Sequence, residues 1–360
     1  MEFALSEEQI LLQDSIRRLL EQHAGLDTVR AYAEGQEPAL SKTLWHQLAE
    51  LGLAALLIPE DRGGLAMTAL DAALVAECLG QSVAPAPLLG SGLIAPWLLA
   101  QAGTASELLG ELADGNRCVG IGFSEAAGAR EDAGIAADAA ASTLTGRALH
   151  VLDFDSADAF LLSTRDSAIY LIDRTAPGLE TQALTTVDRT RSVAELRLTA
   201  VPATLISEDP ALLTRALDLG RLALAADTLG AASAMLTAAV DYAKQREQFN
   251  RPIASFQAVK HMCAEMAASL EPCRAMVWYA GHAFSEDDAD AHMIICHTKA
   301  HISEVGKRLA KTATEVHGGM GFTDLLGLHY WFKRIGFNRQ TLGTPERLRE
   351  EAARAQALCA

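Results

Sequence analysis

The sequence predicts an α+β protein in which an N-terminal helical domain (residues 1–115) precedes a middle antiparallel β domain (116–207) and a C-terminal four-helix bundle (208–360). Three observations lead there. Apolar residues recur every three or four positions at both ends of the chain, the period of a helix with one buried face. Between about 117 and 205 the period falls to two, in short runs separated by Asp, Gly and Thr. The chain has 360 residues, half of them apolar, which is enough for two or three cores.

Taken in order, Ser6 with Gln9 has the form of a capping box, and Ile10, Leu11, Ile16, Leu19 and Leu20 follow at helical spacing. A second helix is expected from Leu44 to Leu57, with Leu44, Leu48 and Leu51 on one face, then a loop through Pro59-Glu60-Asp61-Arg62-Gly63-Gly64. Leu70 to Leu79 and Leu93 to Leu99 are further apolar helical runs. Ala159 to Ser163, Ala168 to Ile172 and Glu195 to Leu198 read as strands, and the Ala-rich stretch from Ala136 to Ala141 as a loop or strand edge. Beyond about 208 the helices return. One runs from Arg221 to Gln248 with Leu222, Ala225, Leu229, Ala232 and Leu236 along a face, one from Ser255 through Val259, Met266 and Leu270, and one from His292 through Ile295, Val305 and Leu309.

The net charge of −16 repels phosphate backbones and anionic lipid, so neither nucleic acid nor a membrane surface is an expected partner. The six cysteines are scattered without metal-like spacing and read as reduced core thiols of a cytoplasmic protein. The amino terminus lacks the basic and apolar regions of a signal peptide, and no uncharged apolar run is long enough to span a bilayer.

Two segments carry chemistry. In Tyr242-Ala-Lys-Gln-Arg246-Glu-Gln-Phe249-Asn-Arg-Pro252, proline forbids the helix from continuing, so Arg246 projects near a helix end with the fork that grips a pyrophosphate. In Glu315-Val-His317-Gly318-Gly319-Met-Gly321-Phe322, the glycines let backbone approach a flat ring or phosphate. Together they resemble the R-x-x-F-G and Gly-Gly-x-Gly motifs of the acyl-CoA dehydrogenase family, and the order helices, β sheet, helical bundle matches that family over essentially the whole chain. The loop at Pro59 is similar to the family's P-E-x-x-G-G turn. The resemblance implies that Arg246, Phe249 and Gln257 cradle the pyrophosphate and adenine side of an FAD whose isoalloxazine ring lies in a neighbouring subunit. Gly318 and Gly319 would close over it.

The family's α,β-desaturation needs a glutamate base in a water-poor pocket, where its pKa rises. Its first location, a Y-E-G-T turn, reads Gln340-Thr341-Leu342-Gly343-Thr344 here, with Leu342 in the base's place. The second, immediately before an arginine at the start of the long helix, holds Gly220 before Arg221. The T-E-P-G-x-G-S-D turn is altered to Ser124-Glu-Ala-Ala-Gly-Ala-Arg-Glu-Asp132, and the W-I-T-N element to His150-Val151-Leu152-Asp153. His150 and His317 read as structural, and Asp153, Asp155, Asp218 and Glu346 as capping or solvated carboxylates. The resemblance therefore implies one subunit of a heteromeric (α2β2) acyl-CoA dehydrogenase of the steroid side-chain type. A related subunit would supply the glutamate, and an electron-transfer acceptor would take the electrons. Two alternatives stand beside it: a self-sufficient homotetramer using an atypical base such as Asp153 or Asp218, and a non-catalytic helical scaffold or CoA-thioester binder.

Overall fold

A computed structural model describes residues 4–123, 126–127 and 134–358. In chain order the first helices are α1 (Glu7–His23), α2 (Leu26–Ala33), α3 (Leu40–Glu50), α4 (Ala69–Gln81), α5 (Ala95–Ala102) and α6 (Ser106–Ala113). Strands β1 (Val119–Gly122), β2 (Gly134–Asp138), β3 (Thr143–Leu152), β4 (Ala159–Ser163), β5 (Ile169–Asp173), β6 (Leu179–Leu184), β7 (Val193–Pro202) and β8 (Thr204–Ser207) follow. The chain then forms α7 (Pro210–Gln245), a hairpin of β9 (Glu247–Gln248) and β10 (Arg251–Pro252), α8 (Gln257–Ser285), α9 (Ala291–His317), α10 (Leu328–Gln340) and α11 (Pro345–Ala355). It divides into two units, one of Met1–Ala33, Ala73–Ala84 and Leu222–Ala360, the other of Glu34–Ala72 and Pro85–Arg221.

The capping box is present: Gln9 N–H donates to Ser6 Oγ at 3.1 Å and Ser6 N–H to Gln9 Oε1 at 3.0 Å. Several expected boundaries move, each for a local reason. The helix expected to reach Leu57 stops at Glu50, because Gly52 turns left-handed at φ 84°. The Leu93 helix begins earlier, as a π-helical turn over Leu88–Ile94 in which every residue is buried. Helix α7 starts at Pro210, where a proline's missing N–H costs nothing. It ends at Gln245, because Glu247 and Gln248 pair with Pro252 and Arg251 instead. Part of the Ala-rich stretch is strand β2, and Asp138 Oδ1 then accepts the Ala140 and Ala141 N–H groups to form the turn.

In the second unit the sheet has the order β6-β7-β3-β1-β4-β5-β8, with β2 on β3. It is mixed, not wholly antiparallel, since β1 runs parallel to β4 over four pairs from Val119↔Ala159 to Gly122↔Leu162. Phe160, Leu162, Val151, Leu196 and Leu198 fill one core cluster. Beside it, the nearly buried Glu195 takes a fork from Arg147 at 2.8 and 2.7 Å and a third hydrogen bond from Arg197 at 2.9 Å.

The first unit is helical, and α7 organises it. Helix α7 is the one helix among the described residues long and apolar enough to cross a membrane by composition, and 67% of its apolar window is buried inside the protein, as in a core helix. It crosses α4 at glycine contact. A Cβ on Gly230 would lie 1.9 Å from the Glu77 carbonyl oxygen, and one on Gly80 2.0 Å from that of Asp227. Asp227 is itself buried and accepts Arg334 Nη1 at 3.0 Å and Asn338 Nδ2 at 2.7 Å, while Arg334 Nη2 donates to the Val83 and Ala84 carbonyls at 3.1 and 3.2 Å.

Two outcomes follow from these contacts. Gly230→Ala forces two backbones apart and should lower stability by about 1–3 kcal/mol, seen as a lower thermal midpoint with the same helical content. The Arg147 and Arg197 guanidiniums hold the Glu195 carboxyl down at about 2. Its folded pKa lies below the unfolded one, so its contribution is fully present above roughly pH 5 and is lost as pH falls through about 2. Glu195→Gln should flatten the acid limb of a stability-against-pH curve measured between those values.

Candidate functional site

Helices α7 and α9 end side by side. Tyr242, in the last turn of α7, stacks on His317, the last residue of α9, with ring centroids 4.6 Å apart and planes tilted by 31°. His317 is buried, and its Nδ1–H donates to the Ala313 carbonyl at 2.8 Å, which fixes the ring against its own helix. Arg246 N–H donates to the Tyr242 carbonyl at 2.8 Å, so the arginine leaves one turn after that stack, and Gly318 follows directly after it. The two motifs, far apart in sequence, are thereby brought together by one ring pair.

From Arg246 the chain makes a two-residue hairpin loop. Phe249 and Asn250 both have left-handed backbone, at φ 54° and 58°, the geometry of a type I′ turn whose twist matches that of its strands. The Ile253 N–H closes the hairpin base on the Arg246 carbonyl at 2.8 Å. Phe249 is 86% exposed and meets Phe256 edge to face at 6.1 Å, and the Arg251 guanidinium lies 4.0 Å over the Phe256 ring. Gln257 begins α8 and is exposed, as is Arg246. Among the described residues no carboxylate pairs with the Arg246 guanidinium.

The glycine turn divides by role. Gly318 has φ 59° and ψ −140°, which only glycine adopts readily, and a Cβ at either Gly318 or Gly319 would meet nothing within 4 Å. Gly321 instead packs inward, where a Cβ would lie 2.6 Å from the Thr314 carbonyl oxygen. Phe322 is 82% exposed. An uncommitted guanidinium, an exposed aromatic ring and two glycines facing open space form a surface that can take an anionic group joined to a flat ring. Sequence reasoning placed Arg246, Phe249, Gln257, Gly318 and Gly319 but assigned no role to Tyr242, Arg251 or Phe256. The alternation of Phe249, Arg251 and Phe256 around Pro252 was the available signal.

Neither Leu342 nor Gly220 carries an ionisable side chain. Leu342 is buried, with φ 55°, between Thr341, whose hydroxyl donates to the Phe337 carbonyl at 2.9 Å, and Gly343. The fully buried Lys299 donates from Nζ to the Gly343 carbonyl at 2.8 Å, so the turn is firmly held around a side chain that cannot exchange a proton. Gly220 is a buried residue inside α7.

The other carboxylates have structural partners. Asp218 pairs with Arg221 at 3.1 Å, and both are buried. Asp153 is buried at φ 57°, and its Oδ2 accepts the Gly90 N–H at 2.8 Å, fastening the end of β3 to the π-helical turn. Glu346 is held down at about 2 by its own N–H, the Thr344 hydroxyl and Arg339, as befits a helix N-terminus. Asp155 differs, since desolvation pushes its carboxyl up against the opposing pull of Arg174. His150 is exposed at the irregularity of β3 between Ala148 and Val151. Of the altered turn Ser124–Asp132, only Ala126 and Ala127 lie within the described residues. Asp218→Ala removes one hydrogen-bonded partner of the buried Arg221 guanidinium and should cost about 1–3 kcal/mol in a denaturation experiment. A proton-transferring Asp218 would instead show normal stability and lost turnover.

A family model described as the acyl-CoA dehydrogenase N-terminal domain matches residues 6–115, and one described as the C-terminal domain matches residues 211–357. The chain is 32% identical to the acyl-CoA dehydrogenase IpdE2 of Mycobacterium tuberculosis over 94% of each protein. It is also 32% identical to IpdE2 of Mycolicibacterium smegmatis, over 98% of this chain and 99% of that one. Among solved structures, a variant of the Tcur3481–Tcur3483 steroid ACAD superposes with a TM-score of 0.88 at 30% identity, covering 98% of both chains. The ChsE4–ChsE5 complex from Mycobacterium tuberculosis superposes with a TM-score of 0.90 at 25% identity over the full length of both. Helices, mixed sheet and helical bundle in this order, with matches of this extent, make the chain a member of the acyl-CoA dehydrogenase family.

Proposed function

We propose that this chain is one subunit of a heteromeric, FAD-dependent acyl-CoA dehydrogenase that desaturates a bulky acyl-CoA of the steroid side-chain type at its α,β bond. The reading rests on one contrast. The Arg246–Gly318 surface is intact, exposed and uncommitted, whereas the base positions hold Leu342 and Gly220. Two of the solved relatives, the ChsE4–ChsE5 complex and the Tcur3481–Tcur3483 steroid ACAD, carry names of paired chains, which supports a related partner bearing the glutamate. A cytoplasmic location and an electron-transfer acceptor complete the reading.

In this assignment Arg246 gives a charge-assisted fork to the pyrophosphate, and the exposed face of Phe249 takes the adenine. Gln257 supplies amide hydrogen bonds at the adenine end, and the Gly318-Gly319 backbone approaches closely because no Cβ intervenes. When bound, the flavin accepts the hydride that leaves the β carbon. This chain's own contribution is to bind and orient, and the α proton leaves to the partner's carboxylate. A self-sufficient enzyme has one observation in its favour, the raised Asp155 carboxyl, but Asp153 and Asp218 already serve as structural partners.

Two measurements test this. Arg246→Ala should weaken FAD binding by the assembled complex by about 1.5–3 kcal/mol, and Gly319→Ala should also weaken it without lowering the melting temperature of the lone chain, since a Cβ there meets nothing within 4 Å in this chain. Unchanged affinity in both variants would remove the pyrophosphate assignment. The chain expressed alone should be colourless and inactive, with flavin absorbance and dye-linked desaturation returning on addition of the partner. About one FAD per lone chain, with turnover, would establish the self-sufficient enzyme instead.

A further inference from the structure

Behind the hairpin lies a cavity that the flavin assignment does not use. It has a volume of about 190 Å³ and is lined by Val240 and Ala243 from the last turns of α7, Val259 and Cys263 from the first turns of α8, and Ala254 between them. Its apolar floor desolvates the Cys263 thiol, which burial pushes up. Two ammonium groups, Lys244 and Lys260, complete the lining. Lys244 is 68% exposed and reaches only Asp241, at 4.0 Å, and among the described residues no carboxylate pairs with Lys260. In a chain of net charge −16, two lysines over an apolar hollow, one of them with no carboxylate partner among the described residues, are a local concentration of positive charge.

We propose that this cavity is a socket for the partner subunit, receiving an aromatic or large aliphatic side chain flanked by one or two carboxylates. The inference rests on the heteromeric reading above and names the chemistry of one of its contacts. Three observations converge on it. The volume matches a ring, since an apolar cavity of roughly 150 Å³ already holds benzene. Lys260, with no carboxylate partner among the described residues, and Lys244, with only the 4.0 Å contact to Asp241, favour carboxylates on the occupant, and complementary charge of this kind fixes register and speeds association. The socket is also continuous with the flavin surface: Ala254 lies in the turn directly after β10, and Lys244 is two residues before Arg246. A neighbour close enough to share a flavin at Arg246 covers that ground as well. Anchors of this type, an apolar side chain in a pocket with charges at its edge, concentrate binding energy in small areas of an interface.

The test is charge reversal. Lys260 sits in the first turn of α8, where a glutamate complements the helix dipole, so Lys260→Glu should fold at least as well as the parent. Lys244→Glu/Lys260→Glu extends the reversal to both ammoniums. Association with the catalytic partner, measured by analytical ultracentrifugation or surface plasmon resonance, should weaken about tenfold or more in the double variant. The defect should shrink as salt is raised. At saturating concentration the flavin-to-protein ratio of the assembled complex should be normal, the opposite of the pattern expected for Arg246→Ala. As a second probe, 8-anilinonaphthalene-1-sulfonate carries a ring and an anion, so it should bind the lone chain, be lost on Cys263→Phe, and be displaced by the partner.

Unchanged association in the double variant would overturn the proposal. So would dye that binds at Cys263 and is not displaced, which would mark a small-molecule site, or self-association of the lone chain that charge reversal dissolves, which would make the occupant a second copy. Failure of the unaltered chain to assemble with any catalytic subunit would instead remove the heteromeric reading itself.

Discussion

The buried carboxylate of Asp227 is the point on which the helical unit depends. Its two oxygens are divided between Arg334 and Asn338, both on α10, and Arg334 in turn takes the carbonyls of Val83 and Ala84 at the end of α4. A carboxylate and a guanidinium removed from water are tolerable only when each finds several well-aligned partners. The glycine crossing at Gly80 and Gly230 supplies the close approach that lets them meet. Helix α7 is therefore fixed at Asp227 and Gly230 against α10 and α4, and its last turn carries Tyr242 to the His317 ring.

Much of this was readable in one dimension, because it depends on near neighbours. The Ser6–Gln9 box, the period-two runs at Ala159 and Glu195 and the proline stop after Arg246 are local signals, and each has its structural counterpart. What was hidden is non-local. The parallel β1–β4 pairing joins strands separated by β2 and β3, and no periodicity reports a neighbour's direction. The π-helical turn at Leu88–Ile94 is buried on every side and has no exposed face to betray its period.

The same division holds at the site. The chemical types at Arg246, Phe249, Gln257, Gly318 and Gly319 could be read from the chain, but the ring contact that brings their two segments together could not. Nor could the occupation of Asp153 by Gly90 and of Asp218 by Arg221, since a carboxylate in a sequence looks the same whether it is waiting for a proton or holding a backbone. Leu342 is the instructive case. Its left-handed backbone and the hydrogen bond from Lys299 to the next residue, Gly343, are features that the residue type alone does not report.

The hairpin tip has a consequence for the life of the free chain. Phe249, Phe322 and Leu325 stand 86%, 82% and 73% exposed in the helical unit. Apolar groups of this size left in water invite indiscriminate association and mark a molecule for chaperones and proteases. On the heteromeric reading proposed above, a subunit built this way is a poor long-lived solitary species. Its abundance in a cell would track that of the protein that covers it, so the ratio of the two chains could be set by removal of orphans after synthesis as well as by matched expression.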